Sequence, residues 1–252
     1  MSGATNDTYL PSFNLYLQSD QATQKFSDAD CNFELQQRIT LPIGVRALVS
    51  LIDFECPYSF YNINENNNQF NVSTSASTLN ITIPPSNYDV DTMTDYLNNQ
   101  FANNETALGT LLVVSFSFST NKFTIISDTL DFTILDTTTM LREFGLASVP
   151  VTSSLLQFTS PNVCNFAGTP YVELLSSLAI TNLASHEDKQ GVIARVPVRT
   201  EPTDFIFHQA TENIYHMLDD RHIDNIRITL RDSDKNVLEL NGGVFSISLS
   251  MH

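Results

Sequence analysis

Several groups of residues have types and spacings that could do chemistry, and each can be weighed against a plainer role. Asp232-Ser233-Asp234-Lys235-Asn236 opens like a calcium-binding loop, in which alternate oxygen-bearing side chains turn toward one cation. The Gly that such a loop needs next is Val237, and its bidentate Glu would fall at Gly243, so a β-turn is expected instead. His216, Asp219, Asp220 and His222 lie close enough in sequence to share a metal. Their spacing matches no helical or hairpin ligand pattern, and no Cys or third His is near, which points to a solvated loop or a subunit contact. His186-Glu187-Asp188 reads as a polar loop, and His208, between Phe207 and Gln209, as a packed or hydrogen-bonded residue rather than a base. Asp89 and Asp91 could form an acid/base or metal pair; just ahead of an apolar helical stripe, they are expected to cap that helix.

The chain lacks the other usual signatures. It has no Gly-x-Ser-x-Gly nucleophile turn, no Cys in a catalytic context, and no glycine-rich phosphate loop among its eight glycines. With no Trp, a sugar-stacking platform loses its best residue. No catalytic, cofactor-binding or metal-binding residues are assigned, no cofactor is expected, and the chain is not expected to be an enzyme.

Composition narrows the class. Twelve Lys+Arg against twenty-eight Asp+Glu give a formal charge of −16, which repels phosphate backbones and argues against direct contact with nucleic acid. Charged residues are only 16%, while Asn, Ser and Thr supply roughly three residues in ten, above average usage. No apolar run is long enough to span a membrane. The N-terminus has neither a basic region nor an apolar stretch, so no signal peptide is expected. Cys31, Cys56 and Cys164 are odd in number and lack ligand spacing, which suggests free thiols and synthesis in a reducing compartment. The sequons at Asn6, Asn71, Asn80 and Asn104 are expected to stay unmodified for the same reason.

The elements that must position these residues are mostly strands. Residues 1–30 are polar and aperiodic and read as an extended arm or a disordered tail, with Tyr9, Phe13, Leu15 and Leu17 available to grip a neighbour. From Phe33 onward short β-type runs alternate with turn residues, and Asn64–Asn68 marks a hairpin loop. Residues 78–160 differ: a strand stops at Pro84-Pro85, and Val90, Met93, Leu97 and Phe101 form one helical stripe. Two further strands meet at Thr120-Asn121, and a single helical turn ends at Gly145. This stretch is expected to be an α+β insertion between a first β part at 31–77 and a second at 161–252. Phe245, Ile247, Leu249 and Met251 make a period-two face that ties the last strand into a sheet. The class expected is mainly β, a β-sandwich or jelly roll carrying a small α+β insertion.

Three stretches carry a family resemblance: 57–70 (PYSFYNINENNNQF), 81–98 (ITIPPSNYDVDTMTDYLN) and 228–247 (ITLRDSDKNVLELNGGVFSI). Together they resemble the minor capsid, or penton, proteins of virophages and polinton-like viruses of the double-jelly-roll lineage. That resemblance implies a single jelly-roll fold and a homopentamer at the fivefold vertices of an icosahedral capsid. It also implies a separate major capsid protein as partner and a virion location, with synthesis in the host's reducing cytoplasm or a viral factory. No catalytic residue comes with it. A competing expectation from the residues is a β-sandwich attachment or spike module that binds a host glycan or receptor, with Tyr58–Asn68 as its only sequence hint.

Overall fold

The computed structural model describes residues 12–41, 47–179, 191–212, 214–218 and 222–252. In chain order the first elements are β1 (Phe13–Gln18), β2 (Gln24–Ser27), β3 (Asp30–Thr40), β4 (Leu48–Pro57), β5 (Gln69–Thr74) and β6 (Thr78–Thr82). Helices α1 (Val90–Asn103) and α2 (Glu105–Leu108) follow, then β7 (Leu112–Ser117), β8 (Lys122–Ser127), β9 (Phe132–Ile134), β10 (Val151–Thr152) and β11 (Gln157–Thr159). The chain ends with β12 (Tyr171–Ser176), β13 (Gly191–Pro197), β14 (Phe205–Gln209), β15 (His216–Met217), β16 (His222–Arg231) and β17 (Ser246–Met251). These elements divide into two compact units: a split unit built from residues up to Phe60 and Thr169–His252, and an inserted unit, Tyr61–Gly168.

The split unit is a sandwich of two antiparallel sheets. One runs β1-β17-β4-β14, with β15 also on β4; the other runs β13-β12-β16-β3-β2. Alternation puts Phe245, Ile247, Leu249 and Met251 inward against Val49, Leu51 and Phe54, and the second sheet answers with Phe33, Leu174, Ile226 and Ile228. Of the expected arm 1–30, residues 12–30 instead form β1, a 3-10 turn and β2 within these sheets. The cause is register: Leu15 and Leu17 fall opposite Leu249 and Ile247, so the polar-looking segment adds one more apolar row to the core. Residues 1–11 lie outside the described residues.

The inserted unit has two small antiparallel sheets, β10-β9-β5-β6 and β11-β8-β7, around a second core. Asp89 caps α1: its carboxylate accepts from the Thr92 backbone N–H at 2.8 Å, and Thr92 Oγ1 accepts from the Asp89 N–H at 3.0 Å. Met93, Leu97 and Phe101 are the buried stripe. Asn98, on α1, docks the helix on β7 by acting as a strand's peptide would. Its Nδ2 donates to the Val114 carbonyl at 3.0 Å, and its Oδ1 accepts from the Val114 N–H at 2.7 Å.

Three further local expectations change. Asn64–Asn67 is a turn, closed by Asn67 N–H on the Asn64 carbonyl, yet it joins no hairpin, because β4 and β5 belong to different sheets. The inserted unit begins at Tyr61 rather than near residue 78, since β5 pairs with β6 and β9. Val237–Leu240, which alternates like a strand, contributes a single bridge, Arg231 to Val237.

Candidate functional site

Several of the residues singled out for chemistry hold local structure. The Asp232 carboxylate closes its own turn: Oδ1 accepts from the N–H groups of Asp234 and Asn236, both at 2.8 Å, and Oδ2 accepts from Asn236 Nδ2 at 3.2 Å. Those contacts make Asp232 the acceptor that closes the turn. Thr92 hydrogen bonds hold the Asp89 carboxyl below the usual carboxylate range, the expected sign for a cap that favours the ionised form. His216 and His222 do not converge. His216 Nε2 meets the Ile193 carbonyl at 3.0 Å, whereas His222 Nδ1 lies 3.4 Å from Thr40 Oγ1. Asp219 and Asp220, and the loop His186-Glu187-Asp188, lie outside the described residues. His208 sits in β14 opposite Phe54 of β4. Among the described residues no three His, Cys, Asp or Glu side chains gather as a metal-ligand set.

The three cysteines are free thiols, Cys31 and Cys56 buried and Cys164 half-buried. Burial pushes Cys31 up to about 11 and Cys56 to about 12, and it raises Cys164 as well, which favours the protonated thiol in each. Asn71, the central sequon, is 4% exposed. Its Nδ2 donates to Thr137 O and Oγ1 at 3.1 and 2.9 Å, and its Oδ1 accepts from the Ile81 N–H, which leaves no amide proton free for a sugar.

Within the inserted unit, Glu143 is a buried carboxylate that sequence reading passed over. Its Oε1 accepts from Asn67 Nδ2 at 2.8 Å and from Arg142 Nη2 at 3.3 Å. Asn67 Nδ2 also donates to the Asn62 carbonyl, so this carboxylate anchors the Asn-rich turn. Burial raises its pKa, against the pull of those donors. The only advance signal was a lone Glu in an apolar turn, which does not announce its partner seventy-six positions away.

What the molecule does offer is surface. The split unit exposes Tyr16, Phe26, Phe205, Phe207 and Ile214, and several of these sit on edge strands. Phe205 and Phe207 share the β14 edge, and an exposed apolar sheet edge is a ready contact surface. No helix among the described residues is long and apolar enough to cross a membrane.

Fold and surface together define a mainly β protein, a jelly-roll β-sandwich with an α+β unit inserted between its strands. The structure is similar to the crystal structure of the mavirus penton protein, with a TM-score of 0.52 and 12% sequence identity, over 96% of this chain and 98% of that one. No protein family matches the sequence, and no curated protein does either.

Proposed function

We propose that this chain is a penton subunit, five copies of which close the fivefold vertex of an icosahedral capsid beside a separate major capsid protein. The observation that carries the reading is the penton-like fold, which extends over 96% of the chain and so includes the inserted unit as well as the sandwich. Assembly alone suffices as the function: the Asp89 and Asp232 carboxylates serve a helix cap and a turn, and Cys31 and Cys56 are buried. A net charge of −16 directs contacts toward protein rather than genome. Free thiols fit synthesis in a reducing cytoplasm or viral factory before entry into the virion.

The attachment-module reading gains no support from the segment that suggested it. Tyr58, Phe60, Ile63 and Asn68 are buried, which leaves Tyr61 as the one exposed aromatic of that stretch.

The test is the mass of the purified chain by light scattering, with negative-stain images of the same sample. A particle of five times the 28.1 kDa subunit, seen as fivefold rings, is expected. A chain that remains monomeric across the accessible concentration range, alone and with the major capsid protein, overturns the reading.

A further inference from the structure

The two outward faces of the sandwich differ in charge. Strands β1, β4, β14, β15 and β17 contain no Lys or Arg at all. Across this sheet Gln18, Ser246, Glu55 and Phe207 lie in one outward row, and Tyr16, Ser248, Asp53 and Gln209 in the next. Phe205 and Phe207, on edge strand β14, are 60% and 65% exposed. Phe205 borders an open hollow floored by Pro57, Glu55 and Val244. A strand edge that carries two outward Phe invites a partner unless something covers it.

The opposite sheet carries Lys25, Arg38, Arg195, Arg227 and Arg231. Two of its ion pairs are stacked in depth, while the Arg38–Asp224 pair is exposed on both partners. Arg195 keeps 62% of its side chain exposed over Glu173 at 8%, and Arg227 keeps 44% over Asp30 at 10%. The guanidinium groups also lie over aromatic rings, Arg195 at 5.2 Å from Tyr171 and Arg227 at 4.5 Å from Phe26. Around Arg195 and Arg227, where the carboxylates are sunk and the guanidinium groups outermost, this face meets a neighbour as cationic and aromatic. It complements the acidic, phenylalanine-bearing face on the other side of the same unit.

The edges decide how copies could join. β13 packs against β4, and His216 of β15 reaches the Ile193 carbonyl of β13, so β13 and β14 flank the same edge of the sandwich. Opposite faces used back to back would stack copies into a filament. Faces used beside one shared edge rotate each copy relative to the last and close a ring. We infer that Phe205, Phe207 and Glu55 of one copy pack on Arg195 and Tyr171 of the next, a heterologous contact that rests on the pentamer reading above.

Two broken-face variants test this. Phe205→Ser with Phe207→Ser removes one face, and Arg195→Gln removes the other. Each is expected to keep the strand signature in circular dichroism and lose the ring, with the dissociation constant raised roughly a hundredfold, the scale of interface hot spots. Mixed one to one, the two variants should form a dimer and nothing larger, because only one joint then has both faces intact. Glu55→Arg, at an exposed position, tests the same charge pairing without disturbing buried Glu173 and should also lose the ring. A ring that survives the double Phe substitution or Glu55→Arg, or a mixture that stays monomeric while both variants are folded, overturns the face assignment. Failure of the pentamer reading looks different: the unsubstituted chain is then itself a monomer, and both fall.

Discussion

In the split unit the central strands find partners far along the chain: β4 lies between β17 and β14, and β16 pairs with β3. The inserted unit pairs near neighbours instead, β5 with β6 and β7 with β8, and lays α1 on β7. Their cores differ too. The inserted unit packs a knot of rings, Phe123 against Phe116 and Phe144 at 5.1 and 4.6 Å, with Phe144 in turn 4.7 Å from Phe70. The split unit interleaves mainly aliphatic side chains from two sheets. Charge follows the same division, since the inserted unit has only Lys122 and Arg142 as cations. The split unit is thus the one with a two-signed surface to offer neighbours, while the inserted unit is a self-contained, aromatic-cored body.

The sharpest way to break that contrast is Phe123→Ala. Truncating a fully buried ring costs about 3–5 kcal/mol, and the loss should fall on the inserted unit. Amide hydrogen exchange should quicken across 61–168 while β4 and β17 keep their protection; equal loss in both would show that they unfold as one. A smaller effect is expected from Asp89→Ala, which removes the α1 cap and should cost about 1 kcal/mol, read from urea unfolding. The subtlest is Glu143→Gln. Burial raises the pKa of Glu143, so its stabilising share is fully present below the ordinary Glu value of ~4.3 and is lost as pH rises through its folded value. The melting temperature of the unsubstituted protein relative to Glu143→Gln should therefore fall with rising pH. A difference that is flat in pH would remove this carboxylate from the account.

How much could be read in the sequence follows from the range of the interactions. The α1 stripe and its Asp89 cap were legible, because a helix is held by residues three and four apart. The inward row of β17 was legible for the same local reason. The start of the inserted unit was not: β5 looks like any strand after β4, and only the Val72–Ile134 register reveals which sheet owns it. β1 was hidden because the apolar row it completes is supplied by β17, more than two hundred residues on. β14 misleads in another way, since its apolar Phe205 and Phe207 face out while Ile206 faces in, so its alternation carries no polar sign of the exposed side. The candidate contact faces stayed invisible for a related reason. Arg195 above Glu173, and Glu55 beside Phe207, are juxtapositions that only register creates.

The pairing of β4 with β17 also sets an order of events during synthesis. β4 leaves the ribosome well before one of its two flanking strands, β17, has been made. At ~5–20 residues per second the stretch from Pro57 to Ser246 takes roughly ten to forty seconds to translate. For that interval β4 has an open apolar edge, while the inserted unit, whose strands and helix lie close together in sequence, can finish folding. A nascent chain that stalls before β17 would thus carry a completed aromatic body and a half-built sandwich, the form in which this protein is most exposed to aggregation and to chaperones.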